Sequence, residues 1–414
     1  MSESAIIVGG GHAAAELATS IREQGWSGPI ELYSRDLHLP YHRPPLSKAF
    51  MSGAVTASNL LIKQPEAYQK AAATVHLGTD VTHIEAAKRV IHLAGGEQRS
   101  YRVLALATGA RARTLAVEGS AEAVHADNYH VLRSLRDAEQ IRSQCVAGQR
   151  LLVIGAGYIG LELAASGIGL GMHVTVIETQ PRVLARVAGV ELADFMAARH
   201  RAAGVDLRLG AGVDAIRIDT TSRRVTGIRC SDGSEVGADL IVVGIGVVPN
   251  SELAEAAGLA IDNGIAVDRD GWTSDPHIVA AGDCSSHPSA LYGRRIRLES
   301  VPNALEQART AAASVNGKSR PYDQVPWFWS DQYDLRMKSV GLLQGYDRCI
   351  VRGDPATRSF SAFYLQGERI LAVDTVNRAP EFLLAKRIVA ERVQIPDALI
   401  ADEGYLLKQA LPAS

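Results

Sequence analysis

VGGGHAA at residues 8–14 and VIGAGYIGLELA at residues 153–164 are two copies of one glycine-rich signature, about 145 residues apart. Each follows an apolar run, Ala5 to Val8 and Leu151 to Ile154, and each opens into an Ala- and Leu-rich stretch. That succession is the strand, tight turn and helix of a dinucleotide-binding unit. Gly9 and Gly155 suit the turn, Gly11 and Gly157 let the backbone approach a pyrophosphate, and Ala14 and Gly160 let the helix pack closely on its strand. The helix N-terminus then aims free N–H groups and a positive dipole end at the phosphates. His12, inside the first signature, reads as a helix-start residue beside those phosphates rather than as a catalytic base. Two such signatures imply two nucleotides held for one reaction on an α/β scaffold.

Outward from the first signature, a helix is expected from Ala13 to Gln24, broken by Gly25 and Gly28-Pro29 before a strand at Ile30 to Tyr33. In LPYHRPPLSK (residues 39–48) the prolines forbid regular helix, and Ser47 with Lys48 sits at an expected helix start. Val75 to Leu93 and Tyr101 to Thr108 read as short strands, and Leu115 to Gly119 as a crossing linker. The pattern turns helical from Leu132, and the second βαβ unit runs from Leu151 to Glu178. DLIVVGIGVVPN (residues 239–250) is a buried apolar strand ending at Gly244 and Gly246. A further apolar strand, in TSDPHIVAAGD (residues 273–283), ends in Gly-Asp. Beyond Lys318 the character changes to alternating strands, starting at PWFWSDQY (residues 326–333), with a closing helix near Ala379 to Arg392. The expected division is a split first nucleotide domain (1–112 with 245–320), an inserted second one (113–244) and a C-terminal α+β domain (321–414).

At 414 residues, two or three domains are expected rather than one core. Apolar content of 47% with 21% charged residues reads as globular, and a net charge of −2 gives no global attraction to nucleic acid or to an anionic membrane. No apolar run approaches the roughly 18 residues of a membrane span, and no signal-like leader is seen, so a cytoplasmic protein is expected. Cys145, Cys230, Cys284 and Cys349 are far apart and form no paired motif, and the first 144 residues contain none. That argues against flavin enzymes whose redox thiols sit in the N-terminal domain.

Glu178 closes the second strand of the second unit, 23 residues after Gly155. An acidic side chain there accepts from a ribose 2′-OH and repels a 2′-phosphate, which favours NADH over NADPH. Arg186 is a candidate for the adenosine side. In the first unit the corresponding strand ends in Tyr33-Ser34-Arg35-Asp36, so the acidic ribose ligand is displaced and Asp36 is the candidate.

Taken with RPPLSK (43–48), ATG (107–109), SDP (274–276), AGD (281–283), ESVPNA (299–304), WFWSDQ (327–332) and VDTVN (373–377), the chain resembles the FAD- and NADH-dependent ferredoxin reductases of bacterial haem-thiolate monooxygenases and Rieske dioxygenases. The resemblance spans essentially the whole sequence. It implies two Rossmann-like domains in a glutathione-reductase-like architecture, followed by the α+β domain. It further implies that FAD is held by Gly9, Gly11, His12, Ala14, Asp36, Arg43, Pro45, Lys48, Val81, Thr108, Gly109, Arg133, Asp283, Val301 and Trp329. NAD would be held by Gly155, Gly157, Tyr158, Ile159, Gly160, Glu162, Glu178, Arg186, Gly244 and Gly246. Lys48 and Glu162 are the implied catalytic pair: a cation near the flavin stabilises its reduced form, and a carboxylate keeps that cation oriented.

The expected reaction is hydride transfer from NADH to FAD, then single electrons to a 2Fe-2S ferredoxin, with neither a nucleophile nor a metal required. Ferredoxins of this kind are acidic, which makes Lys63, Arg309, Lys338 and Lys386 candidates for a basic rim. Two alternatives use the same scaffold: an NADH oxidase or small-molecule reductase of the monodehydroascorbate type, and a flavin-based NADH sensor like apoptosis-inducing factor. A monomer is favoured, with a dimer left open.

Overall fold

The computed structural model describes residues 3–219 and 221–412. Two compact units are present. The first comprises the chain up to His42 with Ser58–Arg111 and Val248–Pro326; the second comprises Arg43–Ala57, Ala112–Val247 and the chain from Trp327 onward.

In the first unit a five-stranded parallel sheet has the order Ile278–Ala280, Val103–Leu106, Ala5–Val8, Ile30–Tyr33, Ala73–His76. The central strand is buried on both faces, so its side chains divide by strict alternation. Ala5 and Ile7 pack with the Ala-rich helices His12–Glu23 and Val301–Val315. Ile6 and Val8 pack beneath a small antiparallel sheet of Val81–Glu85, Val90–Leu93 and Gln98–Ser100. Alanines at 14, 18, 308, 311 and 312 are almost fully buried and lie in this shared core, because short side chains permit close helix approach. The strand at Ile30–Tyr33 and the helix after the first signature fall where the sequence puts them, within a residue.

The second unit repeats the plan. Its parallel sheet has the order Asp206–Leu209, His173–Glu178, Arg150–Ile154, Leu240–Val243, Tyr129–Val131. Leu152, Ile154, Ile241 and Val243 pack against an antiparallel sheet of Val213–Asp219, Arg224–Cys230 and Glu235–Gly237. A separate five-stranded antiparallel sheet closes the chain, in the order Trp327–Gln332, Leu335–Gly341, Arg369–Val376, Ser359–Gln366, Arg348–Asp354, with the helix Ala379–Ala390 beside it.

One local expectation is corrected. Ser47 and Lys48 do not begin a helix; they end a single tight 3-10 turn, Pro44–Ser47, for which Lys48 is the C-cap. Two successive prolines fix φ and suit the first positions of such a turn, and the chain leaves it at once.

Candidate functional site

The two signature turns share a geometry that side-chain volume explains. Gly9 has φ +140°, and a Cβ there would lie 2.1 Å from the Ala107 carbonyl oxygen; Gly155 has φ +106°, with the Gly244 oxygen 2.5 Å away. Only glycine fits either place. Gly244 thus backs the second turn, its N–H also donating to Ile154 O at 2.7 Å. Ala14 and Gly160 differ: Ala14 is fully buried, whereas a Cβ on Gly160 would stand 2.0 Å from Gly155 O.

Gly11 and Gly157 cap the two helices, and neither helix has a side-chain cap or an acidic residue in its first turn. A Cβ at either glycine would meet nothing within 4 Å. By contrast the helix Leu135–Ser143 carries a full capping box from Ser134 and Asp137, and Val301–Val315 is capped by Ser300. Glycine-capped helix starts beside open space fit a pyrophosphate, which would meet the helix N–H groups and the dipole. The donor set therefore fits two dinucleotides.

Around the first turn, His12 is the first helical residue, buried, with Nε2 3.1 Å from His42 Nδ1. Burial holds His42 below the usual imidazole range. Asp36 accepts from the Tyr41 hydroxyl at 3.0 Å and from the His38 N–H at 3.1 Å. Thr108 donates to Asn250 O at 2.6 Å while Asn250 Nδ2 returns a bond to Thr108 O at 2.8 Å, which fixes the loop that turns at Gly109 with φ +67°. Asn250 was not foreseen; its only sequence signal is its place after the apolar strand. Asp283 follows the carboxyl end of the strand Ile278–Ala280, Val301 opens its helix, and Val81 is buried in the small antiparallel sheet.

In the second unit Glu178 ends its strand with Oε2 accepting from the Ala156 N–H at 2.8 Å and Oε1 from the Gln180 N–H at 2.9 Å. The carboxylate therefore borders the turn Gly155–Gly157. Arg186 lies against Gly246: its Nη2 would be 3.1 Å from a Cβ there. Ile159 is 40% exposed at the helix start, a large apolar side chain left uncovered.

Tyr158, Glu162 and Ser166 recur every four residues and so share one helical face. Tyr158 meets Phe328 at 4.6 Å between ring centroids, and Ser166 donates to Ser47 O at 2.7 Å. Between them Glu162, 4% exposed, accepts from Lys48 Nζ at 2.7 Å, from Ser47 Oγ at 2.5 Å and from Ser330 Oγ at 2.5 Å. A buried carboxylate is costly unless paired and hydrogen-bonded, and all three donors converge here. Ser47 and Ser330 lie inside quoted motifs, but nothing in the sequence couples them to Glu162. Arg43 is tied to the Arg133 carbonyl oxygen, and Pro45 lies in the turn that delivers Lys48.

The basic candidates divide between the units. Lys63 and Arg309 both pair with Glu16, at 3.2 and 2.7 Å, in the first. In the second, Lys338 lies opposite Trp329 in the strand register and 4.6 Å from the Phe382 ring, while Lys386 sits 4.1 Å over Trp327. Cation–π contact holds both cations against this aromatic face.

Residues 3–308 match the pyridine nucleotide-disulphide oxidoreductase family and residues 327–411 match its reductase C-terminal domain. The chain belongs to that family: it is a flavoprotein oxidoreductase using FAD and NAD(H). It is 48% identical to the putidaredoxin reductase of Pseudomonas putida, over 100% of this chain and 98% of that one. With a probable ferredoxin reductase of Castellaniella defragrans it shares 43% identity, over 94% of each. Among solved structures, the reductase in the covalent putidaredoxin reductase–putidaredoxin complex superposes with a TM-score of 0.95 at 47% identity, covering 98% of this chain and 97% of that one. Among the described residues, no helix is long and apolar enough to cross a membrane.

Proposed function

We propose that this protein is an NADH-dependent reductase of a 2Fe-2S ferredoxin that feeds a haem-thiolate monooxygenase or a Rieske dioxygenase. FAD held by this chain's residues would supply two-electron acceptance from NADH and one-electron release, which would convert a two-electron donor into a one-electron supply. Residues 1–112 with 245–320 serve FAD, 113–244 serve NADH, and 321–414 form the C-terminal α+β domain. Gly9, Gly11, His12 and Ala14 receive the FAD pyrophosphate; Asp36 takes the adenosine ribose, Asp283 the ribityl hydroxyls, and Val81 belongs to the same FAD set. Thr108, Gly109, Arg43, Pro45, Arg133, Val301 and Trp329 complete that set, with Lys48 supplying a fixed positive charge and Glu162 orienting it. Gly155, Gly157, Tyr158, Ile159, Gly160, Gly244 and Gly246 receive NADH, Glu178 selects against a 2′-phosphate, and Arg186 borders the adenosine side. Lys338 and Lys386, with Lys63 and Arg309, steer an acidic ferredoxin. The protein works as a cytoplasmic monomer.

The observation that carries this reading is the pair of glycine-capped helices whose capping glycines, Gly11 and Gly157, face open space. Lack of a paired-cysteine motif supports a non-thiol acceptor. The purified protein is expected to be yellow, to bleach much faster with NADH than with NADPH, and to reduce cytochrome c only when a 2Fe-2S ferredoxin is added. Rapid oxygen consumption without ferredoxin would instead mark an oxidase, and slow turnover with every acceptor would mark a sensor.

A further inference from the structure

Glu162 is the end of a longer row of buried polar groups. Ser330 Oγ donates to it, and Gln332 Nε2 lies 3.2 Å from Ser330 Oγ. Gln332 Oε1 is 2.8 Å from His200 Nε2, and His200 Nδ1 is 2.9 Å from the Tyr333 hydroxyl. Ser330, Gln332 and His200 are each at most 2% exposed. The elements that bring them together are the end of the helix Val190–Ala202 and the hairpin of Trp327–Gln332 with Leu335–Gly341.

The direction of every bond follows from one fact: an ionised carboxylate only accepts. Ser330 must therefore donate to Glu162, which leaves its oxygen to accept from the Gln332 amide. That places the Gln332 oxygen toward His200, whose Nε2 must carry a proton. A neutral imidazole then offers Nδ1 as acceptor, and the Tyr333 hydroxyl donates to it. Every dipole in the row points at Glu162. Burial holds His200 down at about 4, aided by the neighbouring Arg199 charge, so the neutral form is secure at neutral pH. Arg199 itself lies 4.1 Å over the Tyr333 ring and pairs with Asp334 at 3.4 Å. Tyr333 adopts φ +54°, a conformation that disfavours side chains of its size. The turn accepts that strain while seating the hydroxyl on His200. An amide does not relay protons readily, so the row is a stack of oriented dipoles and not a proton wire.

We propose that Ser330, Gln332, His200 and Tyr333 act as positioning residues for the Lys48–Glu162 pair, holding the carboxylate aimed at Lys48 and thereby setting how readily the flavin is reduced. This rests on the reading of that pair as the group acting on the flavin. The test combines the midpoint potential of the bound flavin, the stopped-flow rate constant for its reduction by NADH, and the tautomer of His200 from histidine-labelled 15N NMR of the holoenzyme. Ser330→Ala should move the potential negative and slow reduction about tenfold, the value of one hydrogen bond to a charged group. Tyr333→Phe should act in the same direction by about twofold, since each successive dipole polarises the next only modestly, and Ser330→Thr should restore both readouts. His200 should be the Nε2-protonated neutral tautomer from pH 5 to 8. If Glu162→Gln shifts the potential while Ser330→Ala and Tyr333→Phe leave both readouts at the wild-type values, the row has no such role. Should Glu162→Gln itself be silent, the reading of the pair falls first and the inference with it. An Nδ1-protonated or charged His200 at pH 7 would reverse the row and overturn the proposal even if Ser330→Ala failed to fold.

Discussion

Replacing Asp374 by Asn should make the protein more stable at pH 8 and leave it unchanged near pH 4. Asp374 lies in the strand Arg369–Val376 of the C-terminal sheet, 3% exposed, with Oδ2 accepting from the Tyr364 hydroxyl at 2.8 Å. Burial pushes its carboxyl from 3.8 up to about 6, against the smaller lowering effect of hydrogen bonds from Ser339 and Tyr364, and the Glu191 charge adds to the rise. Between those two values the folded protein keeps a proton that the unfolded chain releases. The stability contributed by Asp374 is therefore fully present below pH 3.8 and is lost as pH rises through about 6. Carrying a carboxyl over that interval corresponds to roughly 3 kcal/mol. Asn cannot ionise, and its carbonyl oxygen still accepts from Tyr364. Asp374→Asn should thus gain up to roughly 3 kcal/mol over wild type at pH 8, a difference that shrinks steadily to zero by about pH 4. Urea titrations of the holoenzyme across pH 4–8, followed by the fluorescence of Trp327 and Trp329 in the same sheet, measure this directly. A stability difference independent of pH would refute the argument, because it would mean that the carboxyl keeps one protonation state throughout.

Gly11→Ala should leave the melting temperature of the apoprotein unchanged, since a Cβ there meets no protein atom within 4 Å, yet lose FAD, which retained-flavin absorbance after gel filtration reads. Gly160→Ala places a Cβ 2.0 Å from a backbone oxygen and should cost about 1–3 kcal/mol in denaturant titration, although alanine is native at the matching position 14. Glu178→Arg should shift the ratio of kcat/KM values toward NADPH by at least about tenfold, because it removes the ribose acceptor and adds a phosphate partner; an unchanged ratio would exclude Glu178 from cofactor choice. Lys386→Glu should raise the KM for ferredoxin several-fold at low salt with little effect in about 0.5 M salt, where the Debye length falls to a few ångströms.

Much of the architecture was legible because it depends on local chemistry. The glycine spacing, the apolar strand ahead of it and the Ala- and Leu-rich stretch behind it can be recognised without any knowledge of distant contacts, and this is why both turns, their helices and Glu178 fall where expected. The prolines at 44 and 45 were equally local, but they excluded a regular helix without revealing that the chain makes one tight turn and then leaves it at Lys48.

What tertiary structure alone decided is the company kept by Glu162. Its partners Ser47 and Ser330 come from 115 and 168 residues away, and His200 reaches the same row from another helix. Periodicity places Glu162 on the face shared with Tyr158 and Ser166. It cannot say that this face meets the Pro44–Ser47 turn on one side and the strand Trp327–Gln332 on the other. A sequence carries the conformational preference of each residue in the residue itself. The partners of a buried charge are set only when separate stretches pack, because the cost of leaving that charge unpaired arises only once water has been excluded.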